Sequence, residues 1–583
     1  ADRPQRLRDR DSERPVAAGW HLDPRRVGYA TYVDRFAGDL DGVVERLDHL
    51  VALGVDTLHL LSVLHARHGE SDGGYAIRDY RSVDPRNGTD ESFDRLVTAM
   101  HDRSMSLCLD LVFNHTSDDH EWAVAARGGS ERHRALYRTY LDRTEPDRYE
   151  ATLPEVFPTM APGSFTWDTD LERWVWTTFR EFQWDLDWSN PDVMLEMFDI
   201  ALALANRGVD ILRLDAIAFT WKRLGTTCQN QPEAHLIAQA LRAVMSIAAP
   251  SVVLLAEAIV PPEELVGYLG RHRVERHECE LGYHNQLMVQ GWSMLASQRG
   301  DLARVAISRL PTAPDESSWF TYVRCHDDIG WAIADDDASA VGLTGAGHRA
   351  YLAEYYRGDF WRSWARGTAF SPHAASGDER TCGMTAALCG ITAALETGDA
   401  EQLDVAFARF RLLYAIAFGF GGIPMIWMGD EIAQLDDVAW RTDPERAGDS
   451  RWSHRPVFDV DRASDRDRAD TVPGRAWAIL RSLVDARRDC PHLQDGPVDI
   501  STFDTGSSAV FAWRRHHRHY GDLVGLANVG TGVALVHGHP DMGERPGGPH
   551  VIDRLAPEQP DIWRLDPLQV RWLTLDDPLP PVP

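Results

Sequence analysis

Lysine is almost absent from this chain, because Lys222 is the only one among 583 residues. Arginine therefore supplies nearly all of the positive charge, a bias that high genomic GC content also produces. Acidic residues outnumber basic ones, 89 against 60, which leaves a formal net charge of −29. Such a charge disfavours binding to phosphate backbones and to anionic membranes. We therefore expect neither nucleic acid nor a membrane among the partners.

Long apolar runs and paired cysteines are also missing. No stretch of 18 or more residues is continuously apolar, so the sequence predicts no transmembrane helix. The N-terminal stretch ADRPQRLRDRDSERP lacks the apolar segment of a signal peptide. The seven cysteines contain no C-x-x-C pair, which favours free thiols in a reducing compartment. These absences predict a cytoplasmic protein, with secretion as the alternative if the N-terminus has been trimmed.

Short apolar runs rich in β-branched residues alternate with helical stretches, a pattern typical of parallel α/β folds. Several runs end in a charged or polar residue, as strands do at the active-site end of a barrel. An open sheet would need a phosphate-binding glycine fingerprint after the first strand, and VDRFAGDLDG is not one. We therefore predict an α/β fold, a (β/α)8 TIM barrel. The predicted strands are 27–36, 55–61, 106–115, 209–217, 251–259, 278–283, 319–327 and 422–431.

Two gaps between these strands are too long for a single helical connection. Positions 115 and 208 lie 93 residues apart, as do positions 328 and 421, whereas a barrel unit takes roughly 30 residues. Each gap predicts an inserted subdomain at the active-site face. After about residue 495 short strands and turns predict a C-terminal antiparallel β-sandwich domain. The predicted order is barrel 21–112, inserted domain B 113–190, barrel 191–328, inserted subdomain B′ 329–402, barrel 403–494 and β domain 495–583.

Three acids stand near three predicted strand ends, namely Asp215, Glu257 and Asp327. In a barrel these ends meet at one mouth. Glycosidic bond cleavage needs a pair of carboxyl groups, one as nucleophile and one as general acid and then base. Three unrelated polar strand ends are the alternative. Their order, with His115 and His326 also at strand ends, favours a catalytic group.

Four stretches resemble, in order and spacing, the signature segments of the α-amylase superfamily, glycoside hydrolase family 13: DLVFNH (110–115), ILRLDAIAF (211–219), LLAEAIV (254–260) and RCHDDIG (324–330). The resemblance implies that Asp215 is the nucleophile and Glu257 the acid/base. It also implies that Asp327 is a third acid, which binds sugar hydroxyls. Arg213 would hold Asp215 ionised and oriented, because a neighbouring guanidinium lowers the pKa of a carboxyl group.

Longer stretches, from about residue 20 to the end, resemble the amylosucrase family within that superfamily. They are SDGGYAIRDY (71–80), PEVFPTMAPGSFTWD (154–168), WVWTTFREFQWDLDWSNPD (174–192), FTWKRLGTTCQNQPEAH (219–235) and DSRWSHRP (449–456). Amylosucrases transfer glucose from sucrose to an α-1,4-glucan and release fructose. The resemblance therefore implies a retaining glucosyltransferase that uses sucrose as donor, an α-glucan or maltooligosaccharide as acceptor, and no cofactor.

The same resemblance implies a closed sugar pocket. Asp72 and Arg451 match an ion pair that closes the pocket behind one glucosyl ring, so that a chain end enters and a chain interior does not. Tyr75 and Phe179 match aromatic platforms, whose faces support the positive charge of an oxocarbenium-like transition state. Further matches are His115 and His326 beside ring hydroxyls, Gln183, Asp328, Arg349 and Arg380 on the fructosyl or acceptor side, and the substrate-binding positions Arg213 and Ile259.

Several alternatives stay open. Sucrose hydrolysis would use the same catalytic residues as transfer, and a catalytically inactive carbohydrate-binding relative is a remote third reading. The stretch NHTSDDHEW (114–122) offers oxygen atoms of the kind that Ca²⁺ prefers, but the resemblance implies no structural metal. Amylosucrases begin with a longer helical domain, so residues 1–20 are predicted to be its remnant. The chain is expected to be a monomer or a homodimer.

Overall fold

The computed structural model describes residues 3–157, 162–258, 260–270, 276–371, 377–536, 551–556 and 563–575. Eight parallel strands form a closed barrel in the order β1-β8-β7-β6-β5-β4-β3-β2. Seven lie inside predicted runs and the other, Ser318–Tyr322, begins one residue before its run, so the predicted TIM barrel is confirmed. The strands are Gly28–Tyr32 (β1), Thr57–Leu61 (β2), Ser106–Val112 (β3), Ile211–Asp215 (β4), Val253–Ala256 (β5), Leu281–Tyr283 (β6), Ser318–Tyr322 (β7) and Ile423–Trp427 (β8).

The strands are shorter than predicted, and two of the differences have local causes. β4 ends at Asp215 because Ala216 adopts a left-handed backbone, with a φ of 53°. β7 ends at Tyr322, five residues before the predicted end at Asp327. There the buried Arg324 donates hydrogen bonds to the carbonyl groups of Gly383 and Asp327. These bonds engage the backbone after β7 in contacts outside the barrel sheet.

Helices connect the strands and cover the barrel. Pro191–Arg207 shows why these segments are helical: the Asn190 side chain caps it, Pro191 occupies its first turn, and Gly208 ends it in the left-handed region. The longer helices are Gln5–Glu13, Leu40–Leu53, Asp90–Asp102, Pro191–Arg207, Pro232–Ala248, Asn285–Ser297, Asp301–Ser308, Gly345–Arg357, Ala400–Phe420 and Val472–Arg488. Among the described residues, no helix is both long and apolar enough to cross a membrane.

The two long gaps contain small elements of their own. After β3, the segment His115–Ser117 pairs with Gln183–Asp185, and a three-stranded sheet follows from Thr139–Tyr140, Phe165–Asp168 and Arg173–Trp176. After β7, two short strands, Thr368–Phe370 and Arg380–Cys382, pair antiparallel. The domain boundaries given above stay predictions.

The C-terminal region forms an antiparallel sheet of five strands in the spatial order Val498–Thr502, Val510–His517, Gly521–Asn528, Val570–Leu575 and Val551–Asp553. A second, two-stranded sheet pairs Ala534–Leu535 with Arg564–Leu565. Both sheets contribute side chains to one buried apolar cluster, which includes Val524, Leu526, Ala534 and Leu565. The change of pattern after residue 495 therefore predicted this region correctly.

The chain divides into two compact units, the first comprising 1–20, 30–49 and 56–283 and the second 21–29, 50–55 and 284–583. In the first unit, the helix Gln5–Glu13 is held by charge. The buried Asp210 accepts hydrogen bonds from Arg10, Arg14 and His101 at 2.7, 3.1 and 3.1 Å. These partners hold the pKa of Asp210 far below its usual value, although burial alone would raise it.

The single lysine of the chain is buried in the first unit. Its ammonium nitrogen donates to the Asp185 carboxylate and the Phe219 carbonyl, each at 2.6 Å, and to Asn114 Oδ1 at 3.2 Å. The side chains of Lys222 and Asp185 are 1% and 0% exposed. Three segments that are distant in sequence therefore meet at one compact cation.

Replacing Lys222 by Met should destabilise the protein. The buried Asp185 would lose its counterion, a loss that typically costs about 3–5 kcal/mol. The measurement is the thermal unfolding midpoint. The exposed pair of Arg103 and Asp48 offers a matched control, because Arg103→Met removes a cation whose contribution is small. The double variant Lys222→Met, Asp185→Asn should recover part of the loss, and an unchanged midpoint in the single variant would contradict the assigned role.

Candidate active site

Arg213 and Asp215 point the same way from β4, because side chains two residues apart share one face of a strand. The Arg213 Nη1 atom donates to Asp215 Oδ1 and to Asp110 Oδ1, each at 2.6 Å. All three side chains are buried or nearly so. A guanidinium between two carboxylates explains why charged residues stand inside an apolar strand, since each charge has a partner.

Asp110 is a site residue that the sequence reasoning missed. It lies on β3 directly opposite Arg213. Its second oxygen lies 3.3 Å from His59 Nε2 and 3.3 Å from the Tyr75 hydroxyl, which donates to it. The signal was present, because an aspartate inside the apolar run SLCLDLV is as unexpected as Arg213 in its own strand.

Glu257 follows β5 directly. Its Oε2 atom accepts a hydrogen bond of 2.7 Å from the backbone N–H of Ala216. Its Oε1 atom lies 3.9 Å from Arg213 Nη2. Ala216, the residue after Asp215, adopts a left-handed backbone, which is rare for a residue with a side chain. Its N–H makes this hydrogen bond to Glu257. Asp215 and Glu257 thus face the same guanidinium at different distances.

The pKa of Asp215 is raised well above its usual value, in contrast to the expectation from Arg213 alone. Burial is the largest cause, while the Arg213 charge acts in the opposite direction and Glu257 and Asp110 add to the rise. Two interacting carboxyl groups titrate as a pair. Asp215 lies nearer to the Arg213 guanidinium than Glu257 does, so a negative charge on Asp215 receives the stronger electrostatic support.

Two aromatic side chains and a neutral histidine form a neighbouring group, in which the centre of the Tyr75 ring lies 5.7 Å from the Arg213 guanidinium carbon. His115 Nε2 lies 3.1 Å from the Tyr75 carbonyl oxygen, and the His115 ring is centred 5.3 Å from that of Phe179. Burial lowers the pKa of His115, so the imidazole is neutral at pH 7. Tyr75 and Phe179 are each only 7% exposed. The structure therefore places these three predicted residues in one contiguous region.

Asp72 lies in the tight DGGY turn, with a left-handed φ of 54°. Its carboxylate accepts from Arg180 at 3.4 Å and from Gln183 at 3.3 Å. Gln183 is thus a neighbour of Asp72 in the first unit. The ion pair between Asp72 and Arg451 stays a prediction.

The second unit holds the third predicted acid. The Asp327 carboxylate contacts Arg451 at 3.3 Å, Arg455 at 3.6 Å and His326 at 3.2 Å, and its side chain is 40% exposed. Arg451 also pairs with Asp449 at 2.5 Å. Asp327 is thus an accessible carboxylate held by cationic groups, as a side chain that binds hydroxyl groups would be.

The remaining predicted residues of the second unit form ion pairs. Arg380 lies 3.6 Å from the buried Asp328 carboxylate. Burial raises the pKa of Asp328, and the Arg380 charge opposes that rise. Arg349 pairs with Asp378 at 2.9 Å and with Asp335 at 3.2 Å. Of the other predicted positions, Ile259 lies outside the described residues, as does the segment 158–161 of the stretch 154–168.

The oxygen atoms predicted as possible calcium ligands have other partners. Asn114 Oδ1 accepts from Lys222, and Asn114 Nδ2 donates to Asp185 at 2.9 Å. Within the described ranges, no group of three or more His, Cys, Asp or Glu side chains is arranged to hold a metal ion. The ammonium of Lys222 occupies the position beside this asparagine.

The family model for the α-amylase catalytic domain matches residues 4–333. The trehalose synthase/amylase of Mycobacterium tuberculosis is 30% identical over 409 residues, which are 70% of this chain and 61% of that protein. The chain therefore spans less than two thirds of the length of that relative. The glucosylglycerate phosphorylase of Escherichia coli is 26% identical over 80% of this chain and 78% of its own length.

Among solved structures, the sucrose 6F-phosphate phosphorylase of Thermoanaerobacter thermosaccharolyticum superposes with a TM-score of 0.66 over 87% of this chain and 94% of its own. At 18% identity this likeness concerns the fold. The family model, in contrast, covers more than half of the chain. The protein therefore belongs to the α-amylase superfamily, glycoside hydrolase family 13.

Proposed function

We propose that this protein is a retaining glucosyltransferase that takes glucose from sucrose, releases fructose, and adds the glucose to the non-reducing 4-hydroxyl of an α-1,4-glucan. The observation that carries the proposal is the Arg213 guanidinium, which lies 2.6 Å from Asp215 and 3.9 Å from Glu257. This guanidinium gives the carboxyl groups of Asp215 and Glu257 unequal electrostatic environments. Sucrose and the glucan follow from the resemblance to amylosucrases.

In the first step, Glu257 gives its proton to the fructosyl oxygen while Asp215 attacks the glucosyl anomeric carbon. A β-glucosyl ester forms and fructose leaves. Because the ester removes the negative charge of Asp215, Glu257 no longer faces that like charge, and its carboxylate becomes the base of the second step. Arg213 keeps Asp110 as a partner throughout, so the cation is never left buried alone.

In the second step, an acceptor hydroxyl loses its proton to Glu257 and attacks the same carbon. Two inversions give net retention. We assign Tyr75, Phe179 and His115 to the glucosyl ring, because they are buried together and the Tyr75 ring lies 5.7 Å from the guanidinium that contacts Asp215. The remaining roles rest on the resemblance: Asp327 and His326 bind ring hydroxyls, Asp72 and Arg451 close the pocket, and Gln183, Asp328, Arg349 and Arg380 serve the fructosyl or acceptor side.

Asp215→Asn should abolish fructose release from sucrose. The change preserves shape and removes the nucleophile, so the rate should fall by at least about four orders of magnitude. The control is Asp199→Asn, which alters an exposed aspartate paired with Arg81 and should leave the rate unchanged. Activity of the Asp215 variant within tenfold of the parent would assign the nucleophile to another residue.

Glu257→Gln should affect two donors differently. Sucrose needs a proton on its leaving oxygen, whereas α-glucosyl fluoride has a leaving group that needs none. We therefore expect a severe loss of fructose release and a much smaller loss of fluoride release in the first turnover. Equal losses on both donors would contradict the assignment of Glu257 as the acid.

The choice between transfer and hydrolysis is tested by the ratio of free glucose to free fructose. Water at about 55 M competes for the glucosyl ester, and transfer prevails only if binding orients the acceptor, an advantage that can correspond to a very high effective molarity. On adding glycogen or a maltooligosaccharide, we expect the ratio to fall well below one. A ratio that stays near one at every glucan concentration would favour the sucrose hydrolase alternative.

A further inference from the structure

A buried histidine on β2 extends the series of contacts behind Asp215. The Nε2 atom of His59 lies 3.3 Å from Asp110 Oδ2 on the neighbouring strand β3. The other oxygen of Asp110 lies 2.6 Å from Arg213 Nη1, which in turn lies 2.6 Å from Asp215 Oδ1. Three adjacent strands of the first unit, β2, β3 and β4, therefore contribute to one continuous series of contacts that ends at Asp215.

The orientation of the Arg213 guanidinium depends on few hydrogen bonds. Its Nη1 atom makes both short ones, to Asp110 and to Asp215. Its Nη2 atom is 3.9 Å from Glu257, and its Nε atom has no hydrogen-bond partner among the described residues. The bond to Asp110 is therefore the short contact that aligns this cation independently of Asp215. A shift of Asp110 would move the donor that Asp215 receives.

Asp110 is itself held at Oδ2 by two groups, the His59 ring and the Tyr75 hydroxyl, each at 3.3 Å. Burial and then the Asp110 charge raise the pKa of Tyr75 well above its usual value, so this hydroxyl keeps its proton and donates. A carboxylate paired with Arg213 can only accept hydrogen bonds, so His59 must also carry a proton on Nε2. The contact thus specifies which ring nitrogen of His59 is the donor.

We infer that His59 is a positioning residue for the nucleophile: its Nε2–H group holds the Asp110 carboxylate, which aligns the Arg213 guanidinium beside Asp215. The inference rests on the proposed function, because it takes Asp215 as the attacking group. His59 differs in this from Tyr75, which we assign to the glucosyl ring. The effect of His59 on the reaction is exerted through Asp110.

The first experiment compares variants that keep or remove the donor. His59→Met fills a similar volume without an N–H group, whereas His59→Gln places an amide N–H near the former Nε2 position. The measurements are kcat and KM for fructose release from sucrose, with the thermal unfolding midpoint of each variant. We expect His59→Met to lower kcat at least about tenfold, because a misplaced reacting group can cost about 10²-fold. KM should change little, since the lost alignment matters in the transition state.

His59→Gln should recover most of the lost kcat. His59→Asn is a second test of the same point, because its shorter amide retains polarity but ends before the Nε2 position. It should lose activity as His59→Met does. A loss that follows the reach of the donor, rather than the loss of the ring, identifies the contact with Asp110 as the relevant one.

α-Glucosyl fluoride distinguishes an effect on the nucleophile from an effect on the acid. Both donors need attack by Asp215, whereas only sucrose needs a proton from Glu257. His59→Met should therefore lower fluoride release in the first turnover by a factor similar to that for fructose release. A loss confined to sucrose would place the effect at Glu257 and contradict the inference.

A double-mutant cycle tests whether His59 acts through Asp110. Asp110→Asn removes the charge that aligns Arg213 and should lower kcat by itself. In that background His59→Met should change kcat by no more than about twofold, because residues that act through one contact are not additive. Full additivity of the two losses would show that His59 acts by another route.

His101 offers a matched control in the first unit. Its Nε2 atom lies 3.1 Å from Oδ2 of the buried Asp210, so His101→Met removes a contact of the same kind. Asp210 directly precedes β4 and thus lies at the opposite end of that strand from Asp215. This variant should lower the unfolding midpoint and leave kcat unchanged.

Three further results would overturn the inference: a folded His59→Met variant with the kcat of the parent, a His59→Gln variant as impaired as His59→Met, or an equal loss of kcat in His101→Met. A parent that releases fluoride from α-glucosyl fluoride but no fructose from sucrose overturns the choice of sucrose alone. The fluoride measurements then decide the role of His59. A parent that releases neither product overturns the proposed function, and the inference with it.

Discussion

The contact on which the site depends is the sharing of one guanidinium, that of Arg213, by Asp110 and Asp215. Burying Asp215 raises its pKa, and only a fixed cation at hydrogen-bond distance keeps a charged carboxylate there. Asp110 supplies a second carboxylate, so the buried Arg213 cation also has a partner other than Asp215. The register of β3 against β4 places Asp110 opposite Arg213, so the electrostatics of the site follow directly from strand pairing.

A second buried cation, Lys222, likewise holds polar groups from distant segments together. Lys222 brings together Asn114, Asp185 and the carbonyl of Phe219. An ammonium is compact and donates in three directions, whereas a guanidinium is planar and wide. Arginine is the residue at every other Lys or Arg position of the chain. The lysine at position 222 is consistent with a space that suits only the smaller group.

The sequence predicted the barrel, its eight strands and the carboxyl groups at the ends of β4 and β5, because apolar patterning and strand-end polarity are local signals. Asp327, in contrast, lies five residues after the end of β7. It did not predict that Asp110 would pair with Arg213, since strand register is a property of the folded sheet. Nor did it predict the partners of Arg349, which lie 14 and 29 residues away. The net pKa shift of Asp215 also depends on burial, which a strand pattern indicates without giving its magnitude.

The rarity of lysine has a consequence for the chemical durability of the protein. Reducing sugars condense with unprotonated, accessible lysine amines to form Schiff bases, the first step of glycation. The only lysine side chain here is 1% exposed and donates to three oxygen atoms, so a sugar cannot reach it. Under the proposed function, which releases fructose at every turnover, the protein would thus present no lysine side chain for that product to modify.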